Sequence, residues 1–95
     1  MPAYLVVDVR YDDKGWTQAY RRDVPAMITA WGGRYLAKSL SPERLEGEGE
    51  GPDTLAILEF PSADIVRQFL ASPEYAPYAK ARQAGARTTT YLLEG

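Results

Sequence analysis

Leu55-Ala-Ile-Leu-Glu-Phe60-Pro-Ser-Ala-Asp-Ile65-Val-Arg-Gln-Phe-Leu70-Ala-Ser-Pro-Glu-Tyr75 decides how the rest of the chain is read. Its first third is apolar and rich in strand formers, so residues 54–60 read as a strand. Pro61 stops that strand. Ser62 is a good helix N-cap, and Asp64 in the first turn suits the helix dipole. Ile65, Val66, Phe69 and Leu70 then give an apolar helix face. Ser72-Pro73 opens a second helical segment, with serine as cap and proline at its first position. Tyr75, Tyr78, Ala79 and Arg82 share a face of that segment. One carboxylate, Glu59, stands in the otherwise apolar strand.

Outward from this stretch the signals alternate. Tyr4 to Arg10 reads as a strand, and Tyr11 to Gly15 as a turn. Trp16 to Ala30 reads as a helix whose apolar stripe is Trp16, Tyr20, Val24, Met27, Ile28 and Trp31. Pro25 lies inside it and predicts a kink or a break. Gly32-Gly33 ends the helix, the first glycine as a left-handed cap. Arg34 to Ser39 is a strand. Residues 40–52 carry glutamates, glycines and prolines and read as an exposed, mobile loop or hairpin excursion. Gln83 to Ala86 reads as a turn, and Arg87 to Leu93 as the last strand. The order is strand, helix, strand, strand, helix, strand. It predicts one α+β domain over residues 1–95: a ferredoxin-like βαββαβ fold with a four-stranded antiparallel sheet and helices on one face.

That sheet predicts a partner. A sheet with one wet face alternates apolar and polar residues. The first strand carries Leu5, Val7 and Val9 on one face but Tyr4 and Val6 on the other. The third strand sets Leu55 and Ile57 against Ala56, Leu58 and Phe60. Helices cover one face only, so a second copy is expected on the other, making a homodimer. A chain of 95 residues buries only about 60–65% of its unfolded surface, and association adds to that.

Composition narrows function by exclusion. The net charge is -2 with a pI near 5.0, and the basic residues are scattered. Neither a nucleic-acid tract nor an anionic membrane is an expected partner. Cysteine and histidine are both absent. Thiolate nucleophiles, histidine metal sites and the usual proton shuttle near neutral pH go with them. No cofactor or metal is expected. No apolar run is long enough to span a bilayer and no secretory pattern opens the chain, so a cytoplasmic location is expected.

Met1-Pro-Ala-Tyr4, Tyr20-Arg21, Val24-Pro25, Gly32-Gly33-Arg34-Tyr35-Leu36, Leu45-Glu-Gly47, Leu58-Glu-Phe-Pro-Ser62, Ser72-Pro-Glu-Tyr75, Arg82 and Glu94-Gly95 together resemble the family called domain of unknown function 1330. They run in order over nearly the whole chain. The resemblance implies a dimeric α+β barrel with a cavity between each sheet and its helices. The related superfamily holds cofactor-free monooxygenases, haem-degrading enzymes, isomerases and dehalogenases, so the resemblance speaks to fold and dimer more than to chemistry. This chain departs from the pattern in its longer Glu-Gly loop.

The candidate site residues are Tyr20, Arg34, Glu59, Tyr75 and Arg82. Glu59 shares a strand face with Leu55 and Ile57. If that face meets the helices, a carboxylate points into apolar space. Unpaired there, it would be a general base near neutral pH; paired to Arg34 or Arg82, it is a structural ion pair. Arg82, beside Tyr75 and Tyr78, is either a carboxylate clamp or a helix fastener. Arg34 shares that ambiguity. Tyr20 either donates to a substrate carbonyl or is a bonded core phenol. Trp16 and Trp31 read as core or interface, Ser72 as a cap, and Asp8 as a lesser carboxylate candidate.

Two functions stay open. One is a small-molecule domain, binding or enzymatic, that takes an organic acid or carbonyl compound between sheet and helices, with cofactor-free proton transfer or monooxygenase-like chemistry. The other is a non-catalytic interaction dimer held by barrel-end salt bridges. The first requires a cavity of roughly 300 Å³ that polar groups face without partners.

Overall fold

The computed structural model describes residues 1–95. Strand β1 (Ala3–Tyr11) leads through a turn to helix α1 (Thr17–Ala30) and strand β2 (Arg34–Ser39). Strand β3 (Thr54–Phe60), helices α2 (Ala63–Leu70) and α3 (Ala76–Gly85), and strand β4 (Ala86–Glu94) follow. All neighbouring strands are antiparallel, in the order β2-β3-β1-β4. This is the ferredoxin-like α+β arrangement.

The register gives each face its role. Ala3, Leu5, Ala56, Leu58 and Phe60 are buried in one core with Val24 and Ile28 of α1 and Val66 and Phe69 of α2. These residues recur every second position on the strands and every three or four on the helices, as one buried face requires. Phe60 is 1% exposed and lies against Phe69, ring centroids 5.6 Å apart.

The opposite face has no helix on it. The pairings bring Tyr4, Val6, Leu55, Ile57, Tyr91 and Leu93 together there. Tyr91 is 58% and Leu93 53% exposed. Ion pairs bracket this apolar centre. Arg34 meets Glu59 at 2.9 Å at one end; Arg10 and Arg87 reach Glu50 at 3.8 and 3.3 Å at the other.

Local signals mostly behave as their chemistry dictates. Ser62 Oγ accepts the Ile65 amide at 3.2 Å. Ser72 Oγ donates to the Phe69 carbonyl at 2.8 Å and accepts the Tyr75 amide at 3.4 Å, which fixes the turn between α2 and α3; the helix expected to open at Ser72-Pro73 begins only at Ala76, with Tyr75 as its N-cap. Gly32 ends α1 with φ of 80°, the left-handed geometry that glycine adopts without a Cβ penalty. Loop 40–53 has no regular structure. Arg44 reaches back to the Gly49 carbonyl at 2.5 Å, Glu50 pairs with Arg10 of β1 and Arg87 of β4, and Asp53 bonds the Val9 carbonyl and the Tyr11 amide of β1.

Two further elements differ from expectation. Helix α1 runs through Pro25 without a break. Val24 and Ile28, buried on either side of the proline, hold the helix against the sheet. The expected turn at 83–86 is instead the last turn of α3, and β4 starts directly after it. Gly85 makes this passage possible. A Cβ there would lie 2.3 Å from the Trp16 ring, and its carbonyl accepts the amides of Asp12 and Asp13 at 3.0 and 2.9 Å.

Candidate functional site

A cleft opens between the helix-covered face of the sheet and the helices. Its floor is Leu5, Val7 and Val9 of β1 with Ala56 and Leu58 of β3. Phe69, Tyr75 and Tyr20 form its walls. The inner part holds about 90 Å³. It shares Leu70, Tyr75, Arg82 and Thr90 with an outer part of about 450 Å³, which Ala79, Gln83, Ala86 and Thr88 complete. The inner part alone falls short of a small-molecule site; with the outer part the space suffices.

The aromatic wall is continuous. Trp16 meets Tyr20 edge-on at 5.4 Å between centroids, Tyr20 meets Tyr75 at 6.1 Å, and Tyr75 lies 4.6 Å from Phe69. Such contacts suit the ring quadrupoles and keep the wall rigid. The Tyr20 and Tyr75 hydroxyls lie 2.6 Å apart and share one hydrogen bond. Two hydroxyl groups carry two protons, and one bond uses one of them. The other has no protein acceptor and is free for a ligand. Burial, then the Tyr75 hydroxyl, pushes the Tyr20 phenol far above its ordinary range, so it stays protonated. Burial, then Tyr75, also raises Tyr35.

Every charged side chain lining the inner cleft is basic: Arg21 from α1, Lys38 from β2 and Arg82 from α3. Five arginines elsewhere form ion pairs: Arg10, Arg22, Arg34, Arg67 and Arg87. None of the three in the cleft does. Arg82 is half-buried and makes no hydrogen bond within the protein. Arg21 is bonded only to Thr17, at 3.3 and 3.4 Å. Lys38 lies 5.8 Å from the Tyr35 ring centroid. Its ammonium is held below its ordinary range by burial and then by the Arg21 charge.

The five candidates divide between the two faces. Tyr20, Tyr75 and Arg82 meet in the cleft. Arg34 and Glu59 do not. Glu59 pairs with Tyr4 of β1 and Arg34 of β2 on the uncovered face, and its carboxylate accepts from Arg34 Nε at 2.9 Å. The shared pocket expected for all five is therefore corrected. On β3 the residues turned to the helices are Thr54, Ala56, Leu58 and Phe60, which leaves Leu55, Ile57 and Glu59 opposite. Asp8 also lies on the uncovered face, 3.9 Å from Arg10. Tyr78 fastens α3 to α1: its hydroxyl donates to Asp23 at 2.5 Å. Arg22, then Tyr78, holds the Asp23 carboxyl down to about 2.

Lys38 and Arg21 escaped sequence reasoning for different reasons. A bulge in β2 between Tyr35 and Ala37 breaks strict alternation. Tyr35 and Lys38, three apart, both line the cleft as a result. Arg21 follows Tyr20 at the edge of the helix face, where a basic residue also serves as ordinary solvated surface.

The fold and cleft define a ferredoxin-like α+β domain with a cationic, aromatic-walled space under its helices. The chain belongs to the family described as domain of unknown function (DUF1330), which it matches over residues 2–95. It is similar to a solved protein of unknown function from Rhodopseudomonas palustris, RPA0582. The two are 23% identical over 99% of this chain and 82% of that one, with a TM-score of 0.85. It is also similar to SnoaB, a cofactor-independent oxygenase from Streptomyces nogalater: 18% identity, 99% and 92% coverage, TM-score 0.67. A dimeric ferredoxin-like protein of unknown function from Jannaschia sp. CCS1 is 14% identical with full coverage of both chains and a TM-score of 0.67. No curated protein matches this chain. No helix is long and apolar enough to cross a membrane.

Proposed function

We propose that the cleft binds a small organic acid with an apolar body. One observation carries this reading: an apolar cleft presents three basic side chains and no carboxylate, and none of the three is ion-paired. An anion supplies the missing partner, and the spare phenol proton of the Tyr20–Tyr75 pair donates to its oxygen. A thermal-shift panel of apolar carboxylic acids and their matched primary amines tests it. Acids at concentrations well above their Kd raise the melting temperature, since binding only the folded state stabilises it. Amines do not. Equal shifts from both classes, or none from any acid, would sink the reading.

Chemistry at this site would rest on stabilising an anion. Tyr20 acts as a hydrogen-bond donor to an enolate or carbonyl oxygen, and Arg82 as its counter-charge. No carboxylate lines the cleft, and Glu59 is engaged with Arg34 on the other face. A reaction here uses a substrate acidic enough to reach its own anion. Similarity to a cofactor-independent oxygenase is compatible with this.

A homodimer through the uncovered sheet face completes the proposal. An apolar centre ringed by ion pairs has the anatomy of an interface, and one of the similar structures is itself described as dimeric. The Arg34–Glu59 pair is then a rim contact with a structural role. Light scattering at micromolar concentration is expected to return twice the 10.6 kDa chain mass. A monomer mass would remove this part of the proposal.

A further inference from the structure

The three cations of the cleft do not stand together. Lys38 is on β2 and Arg82 is on α3, which packs against β4. Strands β2 and β4 are the two edges of the sheet. Arg21, on α1, lies close enough to Lys38 for its charge to be felt there. Arg82 alone continues into the outer part of the cleft, beside Thr88 and Thr90. The result is a basic pair at one end, a single arginine at the other, and the apolar floor between them. Two like charges kept near each other with no carboxylate between them are an unfavourable arrangement that an anion relieves.

We propose that the ligand is an elongated dianion, with one acidic group on Arg82, the other between Arg21 and Lys38, and an apolar middle over Val7, Ala56 and Leu58. This rests on the organic-acid reading above and narrows it to a substrate class. A monoacid satisfies one end and leaves the other cationic end unpaired. A compound with two acidic ends satisfies both in one binding event.

Straight-chain α,ω-dicarboxylates provide the probe, each compared with its own monomethyl ester. The ester keeps the length and the apolar body and removes one charge. A series of four to twelve carbons is used, and the length of the best-binding diacid reports the distance between the two ends. Calorimetric titration of the full chain is expected to show the best-fitting diacid binding about tenfold or more tighter than its monoester, the return of one charge-assisted contact. In the double variant R21Q/K38Q the diacid is expected to lose that advantage and to bind no more tightly than its monoester does to the same variant. Both residues are exposed, and an unchanged melting temperature would confirm that the variant is folded. Diacid and monoester binding equally at every length would overturn the dianion proposal while leaving the organic-acid reading intact. So would an advantage that survives the double variant. If neither binds, both readings fall.

Discussion

Phe60→Ala is expected to cost about 3–5 kcal/mol, the range for truncating a buried phenylalanine to alanine. Phe60 is 1% exposed and sits where β3 ends, touching Phe69 of α2 and the Gly33 turn after α1. It joins three elements, so no single one can move in to fill the void. The core side chains packed with it are themselves buried: Ile28 is 3% and Phe69 2% exposed. A domain of this size has about 5–15 kcal/mol of stability in total. The melting temperature should fall by at least about 12 °C, at roughly 4 °C or more per kcal/mol. A fall of under about 4 °C in a thermal melt would mean that the core described here is not the stabilising one.

Arg82→Gln is expected to act on binding and to leave stability nearly untouched. Arg82 is set apart by what it lacks. It has no carboxylate within ion-pair distance and no hydrogen bond to the protein, so its removal orphans nothing. A change within about 0.5 kcal/mol is the expectation for such a substitution. A bound carboxylate, by contrast, loses a charge-assisted contact inside a partly dry cleft. Affinity for an apolar acid should drop about ten- to hundredfold. The two readouts separate the roles that an arginine on a helix can have. A fastener shows a lower melting temperature and unchanged affinity; a clamp shows the reverse.

The sequence carried the fold because its signals are local. Pro61-Ser62 and Gly32-Gly33 each end or start an element through the backbone chemistry of one or two residues, and Ser72-Pro73 marks the turn between α2 and α3. The uncovered face was equally legible, because Tyr4, Val6, Leu55 and Ile57 are apolar where a wet face would be polar. What stayed hidden depends on tertiary choices. Both faces of β3 are apolar, so alternation alone does not say which one meets the helices, and Glu59 turned out to face away. The β2 bulge is invisible to a period-two reading, which is why Lys38 was missed, while Tyr20 and Arg82 on helices and Tyr75 at the cap of α3 do line the cleft. Pro25 argued for a break that the buried Val24 and Ile28 override. The extra turn of α3 depends on Gly85 lying against Trp16, a contact between residues far apart in the chain.

The central claim is that the cleft takes an organic anion at Arg82. The most direct measurement is a crystal structure of the protein grown with saturating octanoate. A carboxylate is expected within hydrogen-bond distance of the Arg82 guanidinium and of the Tyr20–Tyr75 hydroxyl pair, with the chain lying over Val7, Ala56 and Leu58. Octanoate bound elsewhere, with Arg82 turned to solvent and the cleft closed, would contradict it.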